Sequence, residues 1–243
     1  MPIAYERGQV WDCYLFARRM RGNHNPNMIM ERSEWEIFRD DFRGKLGEVA
    51  LKNYIIRNVP DAVFTGDIDY TVTPRGQWDI TDLIVNGRYI NVKSVKGGSN
   101  FLMIETFRYD DNGNYIYNNN DGQDVRVDMY ALVKVDIDEE MGPDDMEYQN
   151  IYEFWNSRGG RHINATVMGA ITHDDFWRRK HTAPQHMICT IPNLNMVCQN
   201  RFVDVERATQ QQILDVQMRT RVLQQANYIL NGRTELFPIE NLL

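Results

Sequence analysis

Apolar positions recur at helical spacing through "SEWEIFRDDFRGKLGEVALKNYIIRN", where Trp35, Phe38, Phe42, Leu46, Ala50 and Tyr54 form one stripe. That is the pattern of a helix with one buried face. Ser33 occupies the N-cap position and Glu36 follows three residues later, a capping box that starts the helix there. The pattern then shortens. "AVFTG" and "DYTVT" read as strand-like pieces, and "NFLMIETF" and "VRVDMYALVKVDI" as strands rich in β-branched, aromatic and aliphatic residues. Between the last two, "DDNGNYIYNNNDGQD" is a turn-rich exposed loop. "YQNIYEFW" predicts a helix, "INATVMGAIT" a strand, and "HDDFWRRK" a short helix whose start is capped by Thr172 or Asp174, with His173 part of that start. A last long helix is expected over "DVERATQQQILDVQMRTRVLQQANYIL". Its stripe is Leu214, Met218, Val222, Ala226 and Ile229, packed on the domain or on a second copy, and Gly232 is its C′ residue.

The stretch "WDITDLIVNGRYINVKS" has a different rhythm. Asn86-Gly87 between apolar runs predicts a two-residue type I′ hairpin turn. The turn sets the register: Val85 faces Arg88, Ile84 faces Tyr89, Leu83 faces Ile90 and Asp82 faces Asn91. Opposed residues project to one side of a sheet, and alternation adds Lys93 to that side. Three polar groups then converge within ~5–7 Å, while Leu83, Ile90 and Val92 fill the other face. Asp79 falls on the opposite side unless a bulge intervenes. On the preceding helix, Glu48 shares a side with Gly44, Leu51 and Ile55, and Gly44 and Gly47 permit close approach to a sheet. The plain alternatives are a salt bridge with a helper hydrogen bond for the hairpin cluster, and i,i+4 pairing with Lys52 for Glu48.

A chain of 243 residues, 42% apolar and 11% aromatic, buries a real core as one large domain or one domain with an extension. No apolar run approaches the ~20 residues that cross a bilayer, and "MPIAYERGQVWDCY" lacks a signal-peptide core. The expectation is a soluble, cytoplasmic protein without a membrane partner. Cys13, Cys189 and Cys198 are far apart and lack zinc spacing, so they read as buried reduced thiols, and "NAT" at Asn164 as a chance glycosylation match. The net charge of −7 is unevenly spread. Asp110 to Glu147 holds 12 acidic residues against Arg126 and Lys134, leaving the rest of the chain net positive. "RRMRGNH", "RGGRH" and "WRRKH" are its basic clusters, each a solvated face or an anion-binding surface. No Gly-x-Ser-x-Gly, Walker A, paired-glycine dinucleotide loop or His-Glu-x-x-His is present.

The order of a helix with Gly47-Glu48, then Asp82, a tight hairpin and Asn91-Val92-Lys93-Ser94 resembles the PD-(D/E)XK nuclease superfamily, best known from type II restriction endonucleases. It covers the helix from Ser33 and the hairpin, roughly a quarter of the chain. "ATVMGAITHDDFWRR" is similar to the strand and helix that follow the core in such enzymes. Thr81 stands where the motif has proline, and Asn91 where it has an acidic residue. The resemblance implies a single domain over residues 1–243. It is α/β, with a restriction-endonuclease-like core at about 33–180, a mixed central sheet flanked by helices, and a helical extension at about 204–231.

The implied activity is Mg²⁺-dependent, sequence-specific hydrolysis of phosphodiester bonds in double-stranded DNA, with Mn²⁺ as a substitute ion, by a homodimer in a bacterial or archaeal cell. Asp82, Asn91, Lys93 and Glu48 are the implied catalytic residues. The metal ligands are Asp82, Asn91, the Val92 carbonyl and Glu48, with Asp79 in reserve. Lys93 orients or activates the attacking water and offsets charge on the phosphate. Ser94, Lys96, Arg158, Arg161, Arg178, Arg179 and Lys180 are the DNA-contact candidates, with Arg18, Arg19 and Arg21 near the N-terminus. An amide at 91 still offers an oxygen to a hard cation but no charge. Three readings of Asn91 follow: an active enzyme using the amide, a natural inactive relative, or a deliberate substitution. The rival functions are a DNA-binding protein that keeps the fold without catalysis, and a structural protein whose hairpin cluster is only a salt bridge.

Overall fold

The computed structural model describes residues 2–23, 33–72, 81–105, 109–110, 113, 127–137, 141–157, 163–182, 187–189, 203–204 and 226–243. The capping box forms as the sequence predicts. Ser33 Oγ accepts from the Glu36 amide at 3.2 Å and Glu36 Oε2 accepts from the Ser33 amide at 2.9 Å, starting helix α2 over Glu34–Asn58. Its stripe is buried at Phe38, Phe42, Leu46 and Ala50. Before it lies α1, Arg7–Arg19, a helix the sequence reading did not anticipate, although Val10, Cys13, Tyr14 and Ala17 recur at helical spacing and are buried. Tyr14 is central to the packing of α1 on α2. Its ring meets Phe38, Phe42, Phe154, Trp11 and Tyr148 at centroid distances of 4.6 to 6.4 Å, and its hydroxyl accepts from the Tyr148 amide at 2.9 Å.

The hairpin has the register that Asn86-Gly87 dictates. Strands β1 (Leu83–Val85) and β2 (Arg88–Val95) pair Leu83 with Ile90, Ile84 with Tyr89 and Val85 with Arg88. Asn86 and Gly87 take φ of 51° and 72°, the left-handed pair a type I′ turn requires. Strand β3 is Phe101–Glu105 and β4 is Met129–Asp136. Helix α3, Ile151–Ser157, β5, Asn164–Thr172, and α4, His173–Thr182, fall where the sequence patterns place them. The fold is mixed α/β. Its central sheet runs β1-β2-β4-β5, with β2 and β4 parallel and the outer pairs antiparallel. A second sheet is built from β3, β6 (Met187–Cys189), β7 (Val203–Asp204) and β8 (Ala226–Asn231), in the order β3-β8-β6-β7.

Strand β2 is covered on both faces, and alternation divides its residues. Ile90, Val92 and Ser94 belong with Met129, Ala131 and Val133 of β4 on the side of α1 and α2. Val95 joins Tyr130 and Leu132 on the side where Leu102, Ile104 and Leu230 of the second sheet and Phe176 of α4 pack. A close approach fixes α2 on the first side. A Cβ at Gly47 would fall on Ser94 Oγ and lie 3.1 Å from Ser94 Cβ, and Ser94 Oγ reaches the Gly44 carbonyl at 3.5 Å. Inside the second core Tyr130 donates to Tyr109 at 2.6 Å, and its hydroxyl meets His173 Nδ1 at 2.9 Å.

Three expectations are corrected. "AVFTG" contributes one bridge, Phe64 to Val85, and residues 67–72 carry no regular structure. The expected C-terminal helix does not reach 231. "ANYILN" is β8, paired to β3 and β6, because Tyr228 and Ile229 favour strands and Leu230 turns into the second core. Gly232 is accordingly no helix cap. A Cβ there would lie 2.6 Å from Leu132 Cδ2 and 2.9 Å from the Asn100 carbonyl. Residues 205–225, including Leu214, Met218 and Val222, lie outside the described residues. The first core also extends beyond 33–180, drawing in Ile3, Val10, Tyr14 and Ile239.

Two predictions follow from this packing. Alanine is favoured over glycine in a helix by roughly 1 kcal/mol, whereas overpacking a close contact costs about 1–3 kcal/mol. Gly47→Ala is therefore expected to lose up to about 2 kcal/mol net in urea unfolding, with part regained when Ser94→Ala is added. A stabilised Gly47→Ala would refute the close approach. The second concerns His173, whose pKa burial pushes below the ordinary 6.5, against the opposing pull of Asp174, the Gly113 carbonyl and Asp128. Its neutral ring contributes stability that is complete above pH 6.5 and declines as pH falls below that, because the unfolded chain binds the proton first. Denaturation at pH 7.5 and 5.5 should show a smaller acid loss in His173→Gln than in the parent.

Candidate active site

Pairing in the hairpin stops at Leu83, and the next residue uses its side chain in place of a strand. Asp82 Oδ2 accepts from the Val92 amide at 2.6 Å, while the Asp82 amide donates to the Ile90 carbonyl at 3.1 Å. The carboxylate thus lies at the open edge of β2. In a strand a residue's N–H and C=O point the same way, so the Val92 carbonyl faces that edge too. Asn91 and Lys93 pair with Tyr130 and Leu132 of β4, whose side chains lie in the second core, so they share the face turned away from α2. Asn91 Oδ1 is sealed from solvent. Lys93 is half-buried, and among the described residues no ion pair engages it. Asp82 therefore lies at the strand edge, bonded to the backbone of Ile90 and Val92 in place of the expected pairing with Asn91, and Asn91 and Lys93 lie on the face beside it.

Glu48 is not brought to that face. It is buried in the α2 layer, where Oε2 accepts from Lys45 Nζ at 2.7 Å. Lys45 also lies 4.8 Å from the Phe16 ring. The i,i+4 alternative fails as well, because Lys52 pairs with Asp67 at 2.5 Å. Glu48 lies near Cys13 and Tyr70, which are hydrogen-bonded to each other. Burial pushes both above their ordinary pKa values, with a smaller upward contribution from the Glu48 charge. Cys13 is an inert buried thiol, as expected; Cys189 is in β6 and Cys198 lies outside the described residues.

Two acidic residues that sequence reasoning passed over lie nearer to Asp82. A shallow pocket of about 120 Å³ is lined by Asp67, Asp69, Thr81 and Asp82, with Phe64, Gly66 and Leu83. The ion pair with Lys52 and the Ile68 amide hold Asp67 below its ordinary pKa, and hydrogen bonds from Thr71 do the same for Asp69. Their signal in the sequence is the Asp-x-Asp spacing of "GDIDY", two carboxylates on one side of an extended segment. Asp79 lies outside the described residues.

The DNA-contact candidates divide three ways. Ser94 sits in the helix–sheet contact beneath Gly47, a correction to its expected place on a DNA-facing surface. Lys96 and Arg178 are exposed, Arg178 pairing with Asp175, whereas Arg179 is tied to Glu235 and lies 5.9 Å from the Phe237 ring. Lys180 lies on α4, and Arg158 and Arg161 fall outside the described residues. Arg18 and Arg21 pair with Glu147, and Arg21 also with Glu34, so acidic residues occupy part of the expected basic surface.

Among the described residues no group of three or more His, Cys, Asp or Glu side chains is arranged to hold a metal. The edge instead offers a carboxylate and a backbone carbonyl, and the face beside it a sealed amide oxygen. This all-oxygen set fits a hard divalent cation that keeps several waters. The Asp82 hydrogen bond predicts separable roles. Asp82→Ala leaves the Val92 amide without its acceptor and is expected to cost about 1–2 kcal/mol in urea unfolding. Asp82→Asn keeps an acceptor oxygen and should retain most of that stability.

No helix among the described residues is long and apolar enough to cross a membrane. Comparison of the chain with protein families, with curated proteins and with solved structures finds no match.

Proposed function

We propose that the chain is a Mg²⁺-dependent, sequence-specific endonuclease that hydrolyses phosphodiester bonds in double-stranded DNA, on a restriction-endonuclease-like core. The observation that carries the reading is the β1–β2 edge. There a carboxylate bound to the Val92 amide lies at the open edge, and a buried amide oxygen at 91 and Lys93 lie on the face beside it, in a sheet covered on both faces. A salt-bridge cluster would spend Lys93 on Asp82; the described residues give Lys93 no ion pair, and the Asp82 carboxylate accepts from the Val92 amide.

Asp82, Asn91 and the Val92 carbonyl would hold the ion, with Mn²⁺ a substitute. When bound, it would supply Lewis acidity toward the phosphate and a water acidified for attack. The chain's own contribution is positional. The Val92 amide orients Asp82, and the second core keeps bulk water from the Asn91 side. Lys93 would orient the attacking water and offset charge growing on the phosphate. Exposed Lys96 and Arg178 are the described cations that would meet the DNA backbone, and affinity would fall steeply with salt. Cutting both strands symmetrically favours a C₂ homodimer. One observation favours a second reading, a DNA-binding protein without catalysis: position 91 supplies no negative charge, which weakens any ion's hold.

The test is cleavage of mixed-sequence plasmid DNA with Mg²⁺ or Mn²⁺ by the parent, Lys93→Ala and Asn91→Asp. Discrete fragments from the parent, reduced on the order of 10²-fold or more by Lys93→Ala, are the expected result. Asn91→Asp should cut at lower metal concentration than the parent. A silent parent beside an active Asn91→Asp means an inactivated site. Salt-sensitive binding without cutting in any variant hands the function to the second reading, and neither cutting nor binding reduces the cluster to a structural role.

A further inference from the structure

A carboxylate and an amide place different demands on a site. The two oxygens of a carboxylate are equivalent, so it presents oxygen whichever way it turns. An amide has an oxygen at one end and a donor NH₂ of nearly the same size at the other. Asn91 can serve a cation only if its surroundings decide which end faces the β2 edge. The residue beside it on β4 is Tyr130, one strand away on the same face, about 4.8 Å in the hydrogen-bonding direction.

Tyr130 is anchored in the second core. Its ring is 1% exposed, and its hydroxyl is engaged from two sides, by Tyr109 at 2.6 Å and by His173 Nδ1 at 2.9 Å. Edge-on contacts to Phe176 at 5.4 Å and Tyr109 at 6.4 Å fix the plane of the ring. His173 is anchored in turn. Its backbone amide donates to the Asp128 carbonyl at 2.8 Å, its ring hydrogen-bonds to the Gly113 backbone, and it stacks at 16° to Trp177. Asp128 closes the loop to the hairpin, because its carboxylate accepts from the Tyr89 amide at 2.8 Å, two residues before Asn91.

We propose that Tyr130 and His173 are positioning residues for Asn91: the chain from His173 Nδ1 through the Tyr130 and Tyr109 hydroxyls holds the Tyr130 ring beside Asn91, where its π face takes the amide NH₂ and leaves the oxygen for the β2 edge. The catalytic consequence rests on the endonuclease reading; the placement of the amide does not. Neither residue touches the reacting atoms. Both act through Asn91, and the need for them arises because position 91 is an amide.

The experiment uses ¹⁵N-labelled full-length protein. The Asn91 side-chain NH₂ pair is assigned by its loss in Asn91→Asp, then followed in Tyr130→Phe and His173→Ala. Tyr130→Phe removes a single hydroxyl, so it decides the matter should His173→Ala fail to fold. The expected result is that the Asn91 pair shifts or splits in both variants, while the Asn86 pair, at the turn and bonded to the Leu243 carbonyl, stays in place. An Asn91 pair unmoved in a cooperatively folded Tyr130→Phe overturns the proposal.

Cleavage supplies the second readout. With Asn91 present, His173→Ala should lower kcat on the order of tenfold or more with KM for DNA unchanged. In the Asn91→Asp background the same substitution should cost little, because a carboxylate is indifferent to rotation. Equal losses in both backgrounds mean a merely structural His173 and refute the proposal. A shifted amide without cleavage in any variant leaves the positioning in place and removes the endonuclease reading alone.

Discussion

The parallel pairing of β2 with β4 is the constraint on which the arrangement depends. A strand at the interior of a sheet with cores on both faces has no freedom of register, because a slip of one residue would exchange its two sets of side chains. Ile90, Val92 and Ser94 are committed to the helical layer by Met129, Ala131 and Val133 beside them, and Ser94 by the missing side chain of Gly47 above it. Asn91 and Lys93 are thereby committed to the other face. The polar pair owes its position to the apolar residues that alternate with it. Asp82 is placed by the same strand, since the Val92 amide left open where β1 ends is what its carboxylate binds.

The hairpin and α2 were legible in the sequence because their signals are local. A type I′ turn needs two adjacent residues with positive φ, Asn86-Gly87 supplies them, and the pairs from Val85–Arg88 to Leu83–Ile90 follow by counting, whereas the counted pair of Asp82 with Asn91 does not form because the Asp82 amide bonds to the Ile90 carbonyl. The capping box at Ser33 and Glu36 is equally short-ranged. The shared face of Asn91 and Lys93 could be read for the same reason. Glu48 could not, because helical spacing gives the side of a helix a residue occupies but not which layer that side meets. The deciding facts, Lys45 taking its carboxylate and Asp67 taking Lys52, depend on contacts that spacing does not encode.

The C-terminal stretch shows the opposite failure. Ala226 and Ile229 fit a helical stripe continued from Leu214, and nothing local contradicts it. What makes the segment a strand is the presence of β3 and β6, whose edges accept it, and of Leu132, against which Gly232 closes. Tertiary pairing overrides propensity in such cases. Tyr109, Tyr130 and His173 were hidden likewise. Each reads as an ordinary core or capping residue, and only the fold draws three positions separated by 21 and 43 residues into one hydrogen-bonded chain. Thr172 nonetheless caps α4 as its sequence suggested, its hydroxyl accepting from the Asp175 amide at 3.1 Å.

The pairing of β3 with β8 joins Phe101 to Asn231 and encloses most of the chain between them. A ribosome delivers residues in order, so β8 emerges after every other described strand. Until it does, β3 lacks the neighbour that presses Leu102 and Ile104 into the second core beside Leu230, and that cover over the face of Asn91 and Lys93 is incomplete. The helical layer and the hairpin can assemble early on short-range contacts, whereas the far wall waits for a closure across more than half the sequence. A nascent chain therefore carries the polar residues of the hairpin before it carries the enclosure that gives them their meaning, and any chemistry they perform waits until β8 has emerged and paired with β3.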